Sequence, residues 1–349
     1  MKKIFLLSLA FTALTLLATP PSALAKDDAA APGVKATQKH RAQARPGQRN
    51  LHKQAAARKK PVQQAARPAL PTVIVSAKPS TDVLRPLTQA GDYRFVIQHG
   101  GFARTYRVHV PQRYNVTEPA PLLVALHGGG IARPGDDGFD SLAAESEYQG
   151  FVAVYPDGYA GKGKPASWNA GQCCGDARTQ NVNDVGFIEQ VVNNVFKQVS
   201  IDRQRIYAAG FSDGGMMAYR LACELPEVFK AVASVGGADN TTTCAPGKPV
   251  SVLQLHARND PRVPLASAPA TAAKWAELNR CESAPRRILD QAGAYCDAYT
   301  YCGRQTAVEL CVTETGGHSW PGAKARTGGE PPSQAIAGTR AMWAFFSAH

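Results

Sequence analysis

The chain has 349 residues, a formal net charge of +12, and a composition that is 44% hydrophobic and 8% aromatic. This length and apolar content are enough for the core of one large α/β domain. The N-terminal apolar run is too short for a stable membrane span and no later stretch is long enough, which argues against a protein with membrane spans.

The first 25 residues have the pattern of a secretory signal peptide. Lys2 and Lys3 form a basic start, residues 4–17 are nearly all apolar, and Ala23-Leu24-Ala25 is a small-x-small cleavage site. The mature chain is expected to begin near Lys26. No cysteine stands at the cleavage site to carry a lipid anchor, so the sequence predicts a secreted or periplasmic protein without a transmembrane segment.

Residues 26–81 form a basic segment that differs in composition from the rest of the chain. Between Ala29 and Thr81 there are eleven Lys or Arg and no Asp or Glu, whereas residues 82–349 are neutral overall. Such a segment cannot build a core, so a disordered linker or tail is predicted. Its charge is compatible with contact with anionic envelope polymers, but a solvated spacer is the favoured interpretation. The pattern indicates no specific nucleic-acid site.

Apolar strands alternate with helical stretches over residues 82–349, which form the expected catalytic domain. This alternation predicts an α/β fold with a mostly parallel sheet flanked by helices. The expected strands are 93–97, 105–110, 121–126, 151–155, 205–209, 231–235 and 250–255, with a later hairpin of 295–300 and 306–312. The expected helices are 184–199, 216–225, 266–278 and 334–346.

A strand-to-helix turn carries the best candidate for a nucleophile. The motif Gly210-Phe211-Ser212-Asp213-Gly214 follows the apolar strand and precedes a helix. A serine at such a turn has its hydroxyl exposed, and the helix N-terminus supplies N–H groups for an oxyanion. This layout predicts that Ser212 is the nucleophile of a serine hydrolase.

Chain order predicts the acid and the base of a catalytic triad. Asp260 follows strand 250–255, at the end of the sheet where ligand sites lie in parallel folds. His318 lies in the glycine-flanked loop Gly316-Gly317-His318-Ser319-Trp320, after the last strand. The order serine, aspartate, histidine is the one used by α/β-hydrolases. Asp260 is expected to orient His318, and His318 to act as the base.

The glycine run after strand 121–126 is a candidate oxyanion loop. Glycines let a backbone N–H approach the tetrahedral oxygen, together with the N–H of the residue after the nucleophile. The expected donors are Gly129 and Asp213. His127, which begins this run, is interpreted as a structural residue that holds the loop.

These motifs together resemble a known family. The stretches that carry the resemblance are 126–130, 155–158, 167–175, 183–187, 210–217, 221–224 and 316–322, among them the W-N-A-G-x-C-C and G-H-S-W-P-G runs. The chain resembles the polyhydroxybutyrate depolymerase-type esterases, which are related to the feruloyl and acetylxylan esterases of carbohydrate esterase family 1. The resemblance implies an α/β-hydrolase fold, a triad of Ser212, Asp260 and His318, and no cofactor. Ala257 departs from the family's H-G-x-x-D acid loop.

Two tryptophans and eight cysteines complete the prediction. Trp168 and Trp320 lie in the two most distinctive motifs, and either substrate binding or packing explains them.

An even number of cysteines in an exported domain predicts four disulfides, and no Cys or His spacing indicates a metal site. The hairpin register pairs Cys296 with Cys311 and leaves Cys281 with Cys302. Cys173, Cys174, Cys223 and Cys244 remain for two bridges. Adjacent Cys173 and Cys174 are poorly placed to bond each other, and the partner of Cys223 stays open.

The sequence therefore predicts an exported serine esterase. The expected substrates are hydroxyalkanoate oligomers or polyesters, or feruloyl and acetyl esters of polysaccharide. Two alternatives remain open: an acyltransferase or peptidase on the same fold, and a non-catalytic envelope-binding protein that acts through its basic tail.

Overall fold

One eleven-stranded sheet forms the centre of the computed structural model. The strands are β1 (Thr72–Ile74), β2 (Gly91–His99), β3 (Phe102–Val110), β4 (Ala120–Leu126), β5 (Val152–Pro156), β6 (Ile201–Phe211), β7 (Ala231–Val235), β8 (Ser251–Ala257), β9 (Arg286–Gln291), β10 (Ala294–Tyr299) and β11 (Val308–Thr313). They are arranged in the order β1-β2-β3-β5-β4-β6-β7-β8-β11-β10-β9.

The structure describes residues 72–74, 84–130, 139–282, 284–325 and 330–349, with backbone alone for 72–74, 139 and 140. Within these ranges, no helix has both the length and the apolar character needed to span a membrane. The signal peptide and most of the basic segment predicted from the sequence lie outside them.

Helices cover both faces of the sheet. They are α1 (Phe139–Gln149), α2 (Gly175–Thr179), α3 (Asp184–Gln198), α4 (Asp213–Glu224), α5 (Ser267–Leu278) and α6 (Gly338–Ala348). Residues of α3, α4 and α5 share one buried cluster with alternate sheet residues such as Leu122 and Val124. Residues of α1 and α6 share the opposite cluster with Leu123 and Ala125. Because successive side chains of a strand point to opposite faces, this division fixes a three-layer arrangement.

The middle of the sheet is parallel and buried. β5, β4, β6, β7, β8 and β11 pair in parallel, and every residue of β4, β5, β7 and β8 is buried. Strands covered on both faces are expected to be largely apolar, as β4, β5 and β7 are, whereas β8 also carries the buried polar residues Gln254 and His256. Their carboxyl ends meet at one edge of the sheet. Antiparallel pairs border this middle on both sides, from β2 with β3 and from β9 with β10.

The predicted α/β fold with a mostly parallel sheet is confirmed, and most of its elements lie within a few residues of their expected bounds. Asn183 caps α3, accepting a hydrogen bond of 3.0 Å from the N–H of Gly186. The sequence patterns missed α1, α2 and β9. The prediction of disorder is wrong for Thr72–Ile74, three β-branched residues that form β1 and pair in parallel with β2.

Four disulfides stabilise the domain, and one pairing corrects the prediction. Cys296 bonds Cys311 across β10 and β11, and Cys281 bonds Cys302. The expectation that adjacent Cys173 and Cys174 do not bond each other is wrong, because these two residues share a disulfide and are joined by a cis peptide bond. Cys223 has Cys244 as its partner, with the two Cα atoms 5.5 Å apart, well within the usual disulfide range.

Candidate active site

Ser212 occupies a sharp turn between β6 and α4. Its backbone has φ 52° and ψ −117°, a conformation that non-glycine residues rarely adopt. The turn is held on both sides, since the N–H of Ser212 donates to the carbonyl of Val235 at 2.8 Å and its carbonyl accepts from the N–H of Met216 at 2.9 Å. A strained residue that its surroundings hold so firmly is typical of functional positions.

Two glycines make this turn possible by their lack of a side chain. A Cβ on Gly210 would collide with the backbone of Gly214, where β6 meets the first turn of α4. A Cβ on Gly214 would collide with the carbonyl oxygen of Leu126 and would lie 2.5 Å from that of His127. The first turn of α4 therefore packs directly on the loop that leaves β4, and the G-x-S-x-G spacing follows from this close packing.

Asp260 and His318 are joined by a hydrogen bond. Nδ1 of His318 lies 2.7 Å from Oδ2 of Asp260, across the loops that follow β11 and β8. The other carboxylate oxygen of Asp260 accepts hydrogen bonds from the backbone N–H groups of Arg262 at 2.8 Å and Val263 at 3.0 Å. Since Nδ1 of His318 is occupied, Nε2 is the ring nitrogen left for proton transfer.

The environment of Asp260 keeps it ionised. Burial by itself would raise the pKa of its carboxyl, but the hydrogen bonds from His318 and from the amides of Val263 and Arg262 outweigh it and hold the pKa below its ordinary value. Ala257, which departs from the family pattern, is the last residue of β8 and pairs with Thr313 of β11. A strand position does not need glycine, so this departure leaves the acid loop intact.

The turn Gly236-Gly237, after β7, is the common neighbour of all three predicted triad residues. A Cβ on Gly236 would lie 3.4 Å from both Oδ2 of Asp260 and Nδ1 of His318. A Cβ on Gly237 would lie 2.7 Å from the carbonyl oxygen of Ser212. The ring of His318 also lies over Phe211, with 4.8 Å between the ring centroids. The structure thus brings Ser212, Asp260 and His318 together around one glycine turn.

The two predicted oxyanion donors are also neighbours. A Cβ on Gly129 would lie 2.8 Å from Cγ of Asp213, so the loop after β4 and the first residue of α4 are in contact. Burial raises the pKa of the Asp213 carboxyl. This carboxyl group therefore lies in a partly desolvated position beside the backbone groups that are expected to bind the oxyanion.

His127 holds the oxyanion loop as a neutral residue. Its Nε2 accepts the N–H of Gly158 at 2.8 Å, so Nδ1 carries the proton and donates to the carbonyl of Gly128, also at 2.8 Å. Burial lowers the pKa of its imidazole. With both ring nitrogens engaged in the backbone, His127 has the structural position expected of it.

The two tryptophans for which substrate binding or packing was expected both lie buried in the structure. Trp168 is 0% exposed and donates from Nε1 to the carbonyl of His127 at 2.9 Å. Trp320 is 3% exposed and donates to the hydroxyl of Thr339 at 3.0 Å. Neither side chain has a face free for a ligand, because each is packed into a core cluster. Both residues therefore stabilise the surroundings of the site through packing and these hydrogen bonds.

The partners of Asp184 could not be identified from the sequence, although this residue lies in the stretch 183–187 that carries the family resemblance. Asp184, at the start of α3, is fully buried and accepts hydrogen bonds from Arg104 at 2.7 Å and from the N–H of Asn169 at 2.8 Å. This ion pair anchors the W-N-A-G loop. Its members are 80 positions apart in the chain, so only the folded structure relates them.

The disulfide of Cys173 and Cys174 lies beside the first residue of α4. Its two sulfur atoms and the carboxylate of Asp213 all lie within 4.8 Å of one another. In the described part of the chain, no other group of three or more His, Cys, Asp or Glu side chains comes this close together. Its sulfurs are bonded to each other and offer no thiolate, which is the form that binds a metal.

Comparisons with known proteins agree with this fold. The model of the dienelactone hydrolase family matches residues 127–280. Feruloyl esterase D of Neurospora crassa is 25% identical over 290 residues, covering 80% of this chain and 93% of that protein. Feruloyl esterase B of Piromyces equi is 28% identical over 237 residues, covering 61% of this chain and 42% of that protein.

A solved structure shares the architecture. An acetyl xylan esterase from Aspergillus awamori superposes with a TM-score of 0.52 at 19% identity, over 70% of this chain and 94% of that one. The fold and the relatives together define an α/β-hydrolase that is a carboxylic-ester hydrolase. Within that class, the chain matches the dienelactone hydrolase family model over residues 127–280 and is similar to feruloyl esterases. The resemblance to polyhydroxybutyrate depolymerases stays a prediction.

Proposed function

We propose that the protein is an exported serine esterase that cleaves feruloyl or acetyl esters of polysaccharides with a triad of Ser212, His318 and Asp260. The observation that carries this proposal is the 2.7 Å hydrogen bond between Nδ1 of His318 and Oδ2 of Asp260, beside the strained turn of Ser212. Because this hydrogen bond uses Nδ1 of His318, Nε2 is available to take a proton from a serine hydroxyl.

The first half of the reaction is acylation. Oγ of Ser212 attacks the ester carbonyl carbon while Nε2 of His318 takes the hydroxyl proton, and Asp260 stabilises the imidazolium that forms. The negative charge that develops on the carbonyl oxygen is bound by the N–H groups of Gly129 and Asp213. Collapse of this intermediate breaks the bond to the alcohol, which leaves with the proton returned by His318.

The second half is hydrolysis of the acyl-enzyme. His318 takes a proton from a water molecule, whose oxygen attacks the acyl carbon bound to Ser212. The same two N–H groups bind the second oxyanion, and the proton passes to Oγ of Ser212 as the carboxylic acid leaves. No step needs a metal or an organic cofactor.

The substrate class rests on the relatives, and the location rests on the sequence. Two of the relatives are feruloyl esterases, and the solved structure with the shared architecture is an acetyl xylan esterase. The N-terminal pattern of residues 1–25 and the four disulfides support export, because disulfides persist in oxidising compartments. The basic segment 26–81 is proposed as a linker that contacts anionic polymers.

Replacement of the proposed nucleophile tests the reaction. Ser212→Ala should lower the rate of p-nitrophenyl acetate hydrolysis by on the order of 10⁴-fold or more and abolish labelling by a fluorophosphonate probe. Ser267→Ala, at the exposed start of α5, is the matched control and should keep both. Retention of a tenth of the wild-type turnover by Ser212→Ala would reject the proposed nucleophile.

A substrate panel tests the specificity. Methyl ferulate, an acetylated xylo-oligosaccharide and a hydroxybutyrate trimer should be compared by kcat/KM under the same conditions. The proposal expects one of the first two to be preferred. A preference for the hydroxybutyrate trimer would favour the hydroxyalkanoate alternative, and release of amine from peptide substrates would favour a peptidase.

A further inference from the structure

We infer that His256 is a positioning residue that holds the Asp260 loop in place for His318. This inference rests on the triad proposed above and concerns a residue outside it. His256 lies near the end of β8, four positions before Asp260, and is 1% exposed. A buried polar ring beside a proposed catalytic acid needs partners, and its partners reveal its role.

A buried hydrogen-bond network determines the protonation of His256. The side-chain oxygen of Gln254 accepts from the hydroxyl of Tyr219 at 2.9 Å, and its nitrogen donates to the carbonyl of Gly237 at 3.1 Å. That same nitrogen lies 3.4 Å from Nδ1 of His256, so Nδ1 accepts. The proton of His256 is therefore on Nε2, which donates to the carbonyl of Val263 at 2.9 Å.

This hydrogen bond clamps the turn that carries Asp260. The carbonyl of Val263 is held by His256, and the N–H of the same residue donates to Oδ1 of Asp260. The turn is thus fixed from the core on one side and by the Asp260 carboxylate on the other. With Oδ1 engaged in this way, Oδ2 of Asp260 is aimed at His318.

The hydrogen bond from His256 to Val263 does not compete with His318 for the Asp260 carboxylate. Nε2 of His256 is 3.8 Å from Oδ2 of Asp260, which is beyond hydrogen-bond distance. Burial lowers the pKa of His256 and the hydrogen bond to Val263 partly offsets this, so the ring stays neutral near pH 7. The ionisable groups that face it are Asp260, His318 and, through Gln254, Tyr219. A neutral ring leaves the full negative charge of Asp260 to stabilise the His318 imidazolium.

Two conservative variants separate positioning from core filling. The side-chain amide of Gln reaches the place of Nε2, and that of Asn reaches only the place of Nδ1. His256→Gln should therefore keep the clamp on Val263, whereas His256→Asn should lose it while it retains a polar contact with Gln254. Because a small misplacement of a catalytic group costs about 10²-fold in rate, His256→Asn should lose about that factor in kcat on p-nitrophenyl acetate with little change in KM.

The pH profile supplies a second readout. The acid limb of kcat/KM should move to lower pH in His256→Asn, because a displaced Asp260 stabilises the positive charge of the triad less. His256→Gln should keep the wild-type profile and most of kcat. The control is His109→Asn, which alters a buried histidine of β3 that contacts Asp92 and Glu147. It should lower thermal stability without moving the acid limb.

The outcomes distinguish this inference from the proposed function. Equal kcat values and pH profiles for His256→Asn and His256→Gln would overturn the inference, as would a His256→Gln protein that does not fold. An unchanged acid limb in His256→Asn would reduce His256 to a structural residue like His109. Only the Ser212→Ala measurement bears on the triad itself, so a failure of the inference can be distinguished from a failure of the triad.

Discussion

The carboxylate of Asp213 lies against Gly129, in the space that a side chain on residue 129 would occupy. The two residues come from the loop after β4 and the first turn of α4, and their backbone N–H groups are the proposed oxyanion donors. The Asp213 side chain therefore fits only because residue 129 has no side chain, and a larger residue 129 would require a smaller residue 213.

This contact predicts that Gly129→Ala damages the site through Asp213. The added methyl group would displace the Asp213 side chain and the loop, and loss of one oxyanion donor typically costs about 10²–10³-fold in kcat. The double variant Gly129→Ala/Asp213→Ala should recover much of this loss, since it restores the space and keeps both N–H groups. Measured kcat values for the four proteins of the cycle test the coupling, and additive effects would contradict it.

The charge of Asp213 is expected to cost stability at neutral pH. Burial raises the folded-state pKa of this carboxyl above its usual 3.8. A group with a raised pKa contributes stability below its unfolded value and loses it as the pH rises through the folded value. Asp213→Asn should therefore melt at a higher temperature than wild type at pH 7.5, and this gain should shrink as the pH approaches 4.

Asp202 provides a control of opposite sign. The N–H of Gln204 and then the side chain of Arg205 lower the pKa of its carboxyl. Its charge therefore stabilises the fold above its unfolded pKa, and the benefit disappears as the pH falls. Asp202→Asn should melt below wild type at pH 7.5, with a difference that fades in acid. If both variants shifted the melting temperature in the same direction, the assignment of Asp213 would be wrong.

Local patterns in the sequence were enough to predict the sheet and the order of the site residues. β4, β7, β8 and the second half of β6 are largely apolar because both faces of these strands are buried, and G-x-S-x-G follows from a close backbone contact. By contrast, β9 is mostly exposed and polar, with the sequence RRILDQ, and so it gave no apolar signal. Helix α1 was not predicted for a similar reason, since its sequence FDSLAAESEYQ has no strong apolar face.

Relationships between distant residues could not be predicted. The role of His256 depends on Gln254, Tyr219 and Val263, which meet only after the sheet has formed. The burial of Trp168 could not be predicted either, because an aromatic residue in a distinctive loop is compatible with both core packing and substrate binding. The sequence placed these residues near the site, and the fold determined what each of them contacts.

Two disulfides of equal span should have different effects on activity. Cys223–Cys244 and Cys281–Cys302 both have a sequence separation of 21. Loop-closure entropy therefore predicts that removing either bond lowers the free energy of unfolding by a similar amount, about 3 kcal/mol. Only the first bond begins on α4, the helix that follows Ser212. The double Cys→Ala variant of Cys223 and Cys244 should therefore also lower kcat.

The matched pair separates stability from function. Urea unfolding should give similar free-energy losses for the two double variants, while p-nitrophenyl acetate turnover, measured well below the unfolding transition, should fall in the first and stay near wild type in the second. Equal turnover in both variants would show that the bond to Cys244 does not support the nucleophile turn.

The basic segment should affect where the enzyme binds and not how fast it reacts. The proposed site is built from residues between His127 and His318, and the segment contributes charge without apolar residues for a core. Deletion of residues 26–71 keeps β1 and should leave kcat on p-nitrophenyl acetate unchanged, while it weakens adsorption to an anionic resin at low salt. Extending the deletion to residue 80 removes β1 from the edge of β2 and should lower thermal stability. A large fall in kcat for the shorter deletion would make the segment part of the active site, and unchanged adsorption would end its proposed role as a polymer-binding linker.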